Sequence, residues 1–307
     1  VIVTLMRHPE GIASVFHEMA GKIDRWRRGR RGRVDLDTAP LRMQLREPDA
    51  VVRTAPAADT PAVLAVESLT VSYGGVMAVD DVSLRVPVGG IVGLIGPNGA
   101  GKTSAIDAIT GFTKARGTVR LEGDRIDALP THRRVRRGLA RTFQAIELYD
   151  DLTVEENVSA AAFGVKGDAR HGAVQRALDL VGIADLRERD AGDLSQGQRQ
   201  LVSLARACAA DPRAVLLEEP AAGMDTTESK WLGERIRGIS AAGTGVLLVD
   251  HDVALVLNIC DYIYVLDFGV VIAEGTPATI RADRAVIDAY LGTVHGTPTP
   301  TTPAPTP

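Results

Sequence analysis

Ile91-Val92-Gly93-Leu94-Ile95 runs without a break into Gly96-Pro97-Asn98-Gly99-Ala100-Gly101-Lys102-Thr103. Five residues led by Ile, Val and Leu spell a short buried strand, and the glycines that follow end it. A helix is then expected, with apolar Ile106, Ile109 and Phe112 at spacings of three. Gly96-x-x-x-x-Gly101-Lys102-Thr103 between a strand and a helix is a complete phosphate-binding loop. Glycines let backbone N–H groups turn inward without Cβ clashes, and the helix N-terminus adds partial positive charge beneath the phosphates. Lys102 supplies a point charge to the β and γ phosphates, and the Thr103 hydroxyl can ligate Mg2+. The plain alternative is a glycine-rich turn that binds nothing, and the flanking strand and helix argue against it. By itself the loop specifies a nucleoside triphosphate and no particular protein.

Outward from the loop, Val63–Val66 and Val82–Val86 read as strands, with Tyr73-Gly74-Gly75 as the turn between them. Val119–Leu121 is a further strand. Residues 153–209 are mostly helical, and Thr153 with Glu156 three residues on is a capping-box start. Val215-Leu216-Leu217 and Val246–Val249 are wholly apolar, as central parallel strands covered on both faces require. Tyr262–Leu266 and Val270–Ala273 add a strand pair. Strands alternating with helices imply an α/β sheet, and the long helical insert a subdomain beside it.

The 307 residues are 45% hydrophobic and 24% charged, with aromatics at only 4%, so small and aliphatic side chains build the core. A net charge of −4 argues against a protein that coats nucleic acid. Cys208 and Cys260 lie far apart, which excludes a disulfide framework or a zinc cluster and suits a reducing compartment. No run reaches the roughly 18 apolar residues of a spanning helix.

Charge is segregated: residues 1–61 hold 11 basic and 8 acidic side chains, the remainder 24 and 31. An apolar stub, Val1–Met6, precedes the cluster Arg25-Trp26-Arg27-Arg28-Gly29-Arg30-Arg31-Gly32-Arg33. Residues 1–34 thus read as a basic arm with three open meanings: the cytoplasmic edge of a membrane helix, a disordered arm, or a nucleic-acid patch. Residues 35–62, with Pro40, Pro48, Pro56 and Pro61, read as a linker. Residues 293–307, Thr- and Pro-rich, cannot bury apolar surface and are expected to be disordered.

Further strings follow in one order: Arg141-Thr142-Phe143-Gln144, Leu194-Ser195-Gln196-Gly197-Gln198, Glu218-Glu219-Pro220-Ala221-Ala222-Gly223-Met224-Asp225, and Asp250-His251-Asp252. With the loop, and with Ala273-Glu274-Gly275-Thr276-Pro277 and Tyr290-Leu291-Gly292, they make residues 63–292 resemble the ATP-binding subunit of ABC transporters, in the branched-chain amino acid uptake class. The resemblance covers about three quarters of the chain. It implies an α/β P-loop NTPase with a parallel core sheet, an antiparallel β subdomain and a helical subdomain over about 145–200.

Local chemistry and resemblance then combine. Ser195 is a natural N-cap followed by apolar Leu201, Val202, Leu204 and Ala205, and a helix tip with an exposed Ser and Gly can bind an anion. The resemblance implies that Ser195, Gly197 and Gln198 reach the γ-phosphate held by a second ATP-binding subunit. It further implies that Gly96, Pro97, Asn98, Gly99, Ala100, Gly101, Lys102, Thr103 and Ser104 cradle ATP, and that Tyr73 stacks on adenine. Glu218 and Glu219 end an apolar strand, where side-chain alternation sends two acids in different directions. By resemblance Glu218 holds Mg2+, with Thr103 and Gln144, while Glu219 polarises the attacking water. His251 is the implied contact to the γ-phosphate, Gln144 senses both the Mg2+ region and the membrane partner, and Asp225 crosses the dimer interface. Arg133-Arg134-Val135-Arg136-Arg137 reads as a solvated helix face rather than a nucleic-acid patch.

Two residues depart from the family pattern. Gln196 stands where Gly is frequent, a variation familiar in the uptake class. Glu218 stands where Asp is usual, and its extra methylene moves the carboxylate by about 1.5 Å. With Lys102, Thr103, Gln144, Glu219 and His251 present, the expectation is a competent transport ATPase at the cytoplasmic face of a bacterial inner membrane. It would work with permease subunits and, indirectly, a solute-binding protein; no nucleic acid partner is expected. The arm suggests the end of a permease fused to its ATPase. The other readings are a soluble ABC-type ATPase acting on nucleic acid or ribosomes, a non-catalytic regulatory module, and an export ATPase.

Overall fold

The computed structural model of the chain describes residues 61–143, 147–162, 165 and 167–292. The basic arm, the linker before Pro61, Gln144 and the Thr/Pro tail therefore lie outside the described residues.

β1 (Ala62–Tyr73) and β2 (Val76–Pro87) form an antiparallel hairpin. Gly74 and Gly75 make its two-residue turn with φ of 54° and 93°, the backbone that a primed turn demands. β3 (Ile91–Ile95) follows, buried throughout, and leads through the glycine loop into α1 (Lys102–Thr110). β4 (Arg116–Leu121) and β5 (Asp124–Arg125) complete a four-stranded antiparallel sheet in the order β2-β1-β4-β5.

α2 (Thr131–Arg136) and β6 (Leu139–Arg141) precede three helices, α3 (Val154–Ala161), α4 (Asp168–Val181) and α5 (Gln196–Cys208). Thr153 caps α3 through a reciprocal bond with Glu156, the capping box written in the sequence. β7 (Ala214–Glu218), α6 (Thr226–Ala241), β8 (Gly245–Val249), α7 (Val253–Ile259), β9 (Tyr262–Asp267), β10 (Val270–Gly275), α8 (Pro277–Ala282) and α9 (Arg284–Gly292) finish the order. The second sheet runs β10-β9-β3-β8-β7-β6, parallel except for the β9–β10 hairpin.

Alternation along this sheet feeds two cores. Ile91 and Ile95 join Val215, Leu217, Val246 and Leu248 on the face covered by α3 to α7. Val92 and Leu94 join Leu216, Leu247 and Val249 on the other face, against α1 and the antiparallel sheet. At roughly 1.5–3 kcal/mol for each fully buried aliphatic side chain, this two-sided burial dominates the fold's stability.

Two sequence expectations need correction. α1 ends at Thr110, where Gly111 takes a left-handed turn with φ of 84°, so Phe112 is not on the helix's buried stripe. It is 56% exposed and meets Phe143 edge to face at 5.6 Å. The Arg-rich stretch is also not wholly solvated. Arg133, Val135, Arg136 and Arg137 are exposed, but Arg134 is only 5% exposed. Its guanidinium donates to the carbonyls of Ala108, Ile109, Leu129 and Asp127 at 2.6–2.8 Å, closing the C-terminal end of α1. A cation here adds to the pairing of the last α1 carbonyls, where Ala108 O also accepts from the Gly111 N–H at 3.2 Å, and opposes the negative end of the helix dipole. Replacing Arg134 by Ala removes four hydrogen bonds to carbonyls and should cost about 3 kcal/mol. Thermal unfolding should then begin about 6–12 °C lower; an unchanged midpoint would show that Arg134 does not anchor α1.

Candidate nucleotide site

The loop between β3 and α1 is built so that only glycine fits at its two ends. Gly96 has φ of 153° and Gly101 φ of 102°. An ideal Cβ at Gly96 would run into the Leu266 carbonyl oxygen, and one at Gly101 into that of Ala78. The β9–β10 hairpin pins the loop from outside, since Gly269 donates its N–H to the Ala100 carbonyl at 3.0 Å. Gly101 caps α1 with no side-chain hydrogen bond, which leaves the helix's first N–H groups facing the loop. Lys102 is 8% exposed and donates to the Gly96 and Pro97 carbonyls at 2.7 and 2.9 Å. Burial lowers its pKa, while the charge of Glu219 pulls the other way. Thr103 is exposed and Ser104 half-buried at the start of α1.

The ends of β7 and β8 supply the acids. Glu218 is the last residue of β7 and is buried; its Oε2 accepts from Arg141 Nη2 at 2.7 Å. Glu219 lies past the strand, with φ of 45°. The two acids have different neighbours, Arg141 for Glu218 and His251 for Glu219, and the chain leaves the strand at Glu219 in a left-handed conformation and not by continued strand alternation. A bulky residue in that region is strained, and such strain gathers at functional sites. Glu219 Oε2 lies 3.8 Å from His251 Nδ1, and Asp250 Oδ1 lies 3.7 Å from the same nitrogen. Asp250 is fully buried and accepts from the N–H groups of Ala221 and Asp252 at 3.3 and 2.8 Å. Burial pushes its pKa up, and those two N–H groups draw it back.

A second cluster lies at the N-terminal end of α5. Ser195 is exposed and caps the helix, its hydroxyl accepting from the Gln198 N–H at 3.3 Å while Gln198 Oε1 accepts from the Ser195 N–H at 3.0 Å. Asp225 caps α6 by accepting from Thr227 and Glu228. Gly197 sits against the Glu228 carboxylate, where an ideal Cβ would come within 2.9 Å of Oε1. Gln200, one turn into α5, donates to the Glu219 carbonyl at 3.3 Å and so joins this cluster to the acids.

The structure therefore gathers Lys102, Glu219 and His251 at the strand ends, with Glu218 beside them in sequence and paired to Arg141. It groups Ser195, Gly197 and Gln198 with Asp225 through Glu228. Tyr73 ends β1 and is 47% exposed, while Gln144 lies outside the described residues. Sequence reasoning gave no role to Arg141, Asp250, Gln200 or Glu228. Two of these had a signal: Arg141 stood inside a quoted motif, and Asp250 directly followed an apolar strand.

A glycine cradle, a buried lysine and carboxylates at the ends of parallel strands define a P-loop ATPase with a capped helix facing outward beside it. The family model for ABC transporters matches residues 79–222, and that for the branched-chain amino acid ATP-binding cassette transporter matches residues 270–296. The chain is 37% identical over 249 residues to the high-affinity branched-chain amino acid transport ATP-binding protein BraF of Pseudomonas aeruginosa, covering 75% of this chain and 98% of that one. It is 36% identical over 234 residues to the lipopolysaccharide export system ATP-binding protein LptB of Haemophilus influenzae, covering 75% and 97%. A crystal structure of an ATP-binding cassette of an ABC transporter in its ADP conformation superposes with a TM-score of 0.69 at 30% identity, covering 76% of this chain and 100% of that one. The chain belongs to the ATP-binding subunits of ABC transporters, and it is an ATPase coupled to transport.

Gly101 should tolerate no side chain. Left-handed backbone alone costs an L-residue about 1–2 kcal/mol, and the Ala78 carbonyl adds a clash. Gly101→Ala is expected to weaken binding of a fluorescent ATP analogue at least about tenfold. Gly243→Ala, at φ of 99° with open space around it, shares the backbone strain and should leave that affinity unchanged. Equal effects from both would remove the loop argument.

Proposed function

We propose that the chain energises uptake of branched-chain amino acids or related small polar solutes, from the cytoplasmic face of a bacterial inner membrane. The observation that carries the catalytic part is the meeting of Lys102, Glu219 and His251 where β3, β7 and β8 end. The substrate class rests on the 270–296 match and on relatives named for branched-chain amino acid transport. The export relative, at nearly the same identity, supports the rival direction.

The inward N–H groups of the loop and the Lys102 ammonium bind the β and γ phosphates of ATP, with Ser104 beside Thr103 at the helix start. Tyr73 offers an aromatic face to adenine. Glu219 accepts a hydrogen bond from the attacking water and turns its lone pair toward the γ-phosphorus. His251 stands beside it to contact a γ-phosphate oxygen.

For Mg2+ the donors are hard oxygens: the Thr103 hydroxyl and the Glu218 carboxylate, with the Gln144 side chain from the resemblance. Among the described residues no group of three His, Cys, Asp or Glu could hold a metal unaided. That suits an ion held largely by phosphates and water. When bound, Mg2+ neutralises charge that develops on the phosphate oxygens. Hydrolysis is then positioning plus charge stabilisation, with little covalent work for the protein.

The Ser195 tip of α5, with Gly197 and Gln198, completes the site of a second ATP-binding subunit, and Asp225 lies at the interface between the two. ATP closes this pair, closure moves the permease subunits, and hydrolysis resets them. A solute-binding protein delivers cargo on the far side.

Phosphate release by the full chain tests the chemistry. Glu219→Gln should retain ATP, lose at least about a hundredfold in turnover, and accumulate dimers on size exclusion. Lys102→Ala should instead weaken nucleotide binding itself by about tenfold or more. Wild-type turnover in Glu219→Gln would discard the acid assignment. Uptake of radiolabelled leucine by cells lacking the chain decides direction and cargo: undiminished uptake would turn the reading toward export or another solute.

A further inference from the structure

Arg141 occupies a position that the nucleotide site does not yet explain. Its side chain is 8% exposed and lies between two acids from different elements. Nη1 donates to Asp107 Oδ1 at 2.6 Å and to the Thr110 hydroxyl at 3.2 Å, both on α1. Nη2 donates to Glu218 Oε2 at 2.7 Å, at the end of β7. The guanidinium also lies against the rings of Phe112 and Phe143, 5.5 and 4.9 Å from their centroids. The next residue grips the same acid by its backbone: the Glu218 N–H donates to the Thr142 hydroxyl at 3.2 Å, and the Thr142 N–H donates to the Leu216 carbonyl at 2.9 Å.

A buried ion pair contributes little net stability, because desolvation opposes its attraction. What this one supplies is direction. A Glu side chain at the strand end has three rotatable bonds, and one fork anchored on Asp107 removes that freedom. It also ties the acid to the helix that begins with Lys102 and Thr103. Lysine carries the charge but cannot reach two carboxylates with a rigid planar fork.

We propose that Arg141 is a positioning residue for Glu218. Its fork holds Oε2, fixes the longer side chain, and leaves Oε1 to the hydration shell of the nucleotide-bound metal. The inference rests on the assignment of Glu218 to Mg2+ made above. Outer groups that orient a ligand in this way typically change metal affinity by about 10–100-fold when removed.

The test uses Mn2+ as the probe ion, with the full chain and a non-hydrolysable ATP analogue. Free Mn2+ is counted by paramagnetic resonance, nucleotide affinity is measured separately in EDTA, and the melting temperature is recorded for each variant. Arg141→Gln should weaken Mn2+ retention about tenfold and leave nucleotide affinity in EDTA within about twofold of wild type. In a Glu218→Gln background the same substitution should add nothing. Arg141→Lys should fall in between, and it serves where Arg141→Gln does not fold. Unchanged Mn2+ retention in Arg141→Gln, an equal loss with Glu218 already replaced, or a wild-type Arg141→Lys would each overturn the inference. If Glu218→Gln alone leaves Mn2+ retention intact, the assignment of Glu218 fails first, and the role of Arg141 with it.

Discussion

Burial of β3 on both faces is the constraint that places the glycine loop and the acids beside it. A strand packed on two sides cannot slip by one residue without exchanging its two cores. Its partners inherit that register: Val92 faces Leu247 on one side and Tyr262 on the other, and Glu218 faces Val249. Parallel strands locked this way end together, and their ends open on one edge of the sheet. The glycine loop, the acid pair and the Asp250-His251 pair follow those three ends directly. The arrangement of these groups is therefore a by-product of apolar packing, and the loops need only be short.

Charge at that edge is unbalanced by design of the sequence. Asp107, Glu218, Glu219 and Asp250 stand with only Arg141 and Lys102 among these side chains, and a triphosphate would add further negative charge. Asp250 is partly relieved by two backbone N–H groups and Glu218 by Arg141. Glu219 has His251 nearby at 3.8 Å. A cation bound with an anionic ligand would lower the repulsion at such an edge.

Much of this was legible before any coordinates. Runs such as Val215-Leu216-Leu217 announced strands covered on both faces, Thr153 announced its helix start through a fixed offset to Glu156, and Ser195 did so as an N-cap before an apolar run. Those signals are local, and local rules govern them. Phe112 misled because helical spacing continued past Gly111, whose left-handed turn overrides the pattern. Arg134 misled because four of five neighbouring positions suited a solvated face, and only the third dimension brings the carbonyls of α1 to it. Glu219 looked like a strand residue because nothing in its identity records a φ of 45°. Arg141 reaches Asp107 34 residues away and Glu218 77 residues away, and no spacing rule spans such separations.

The same long-range contacts join the two halves of the machinery within one chain. Gln200 donates to the Glu219 carbonyl at 3.3 Å, which connects α5 to the backbone of the acid. Gly197 lies against Glu228, whose carboxylate accepts from the Asp225 N–H at 3.2 Å; a Cβ at 197 would meet that carboxylate and disturb the cap of α6. The contact between Gln200 and the Glu219 carbonyl links the two clusters, and it joins residues 19 apart in sequence.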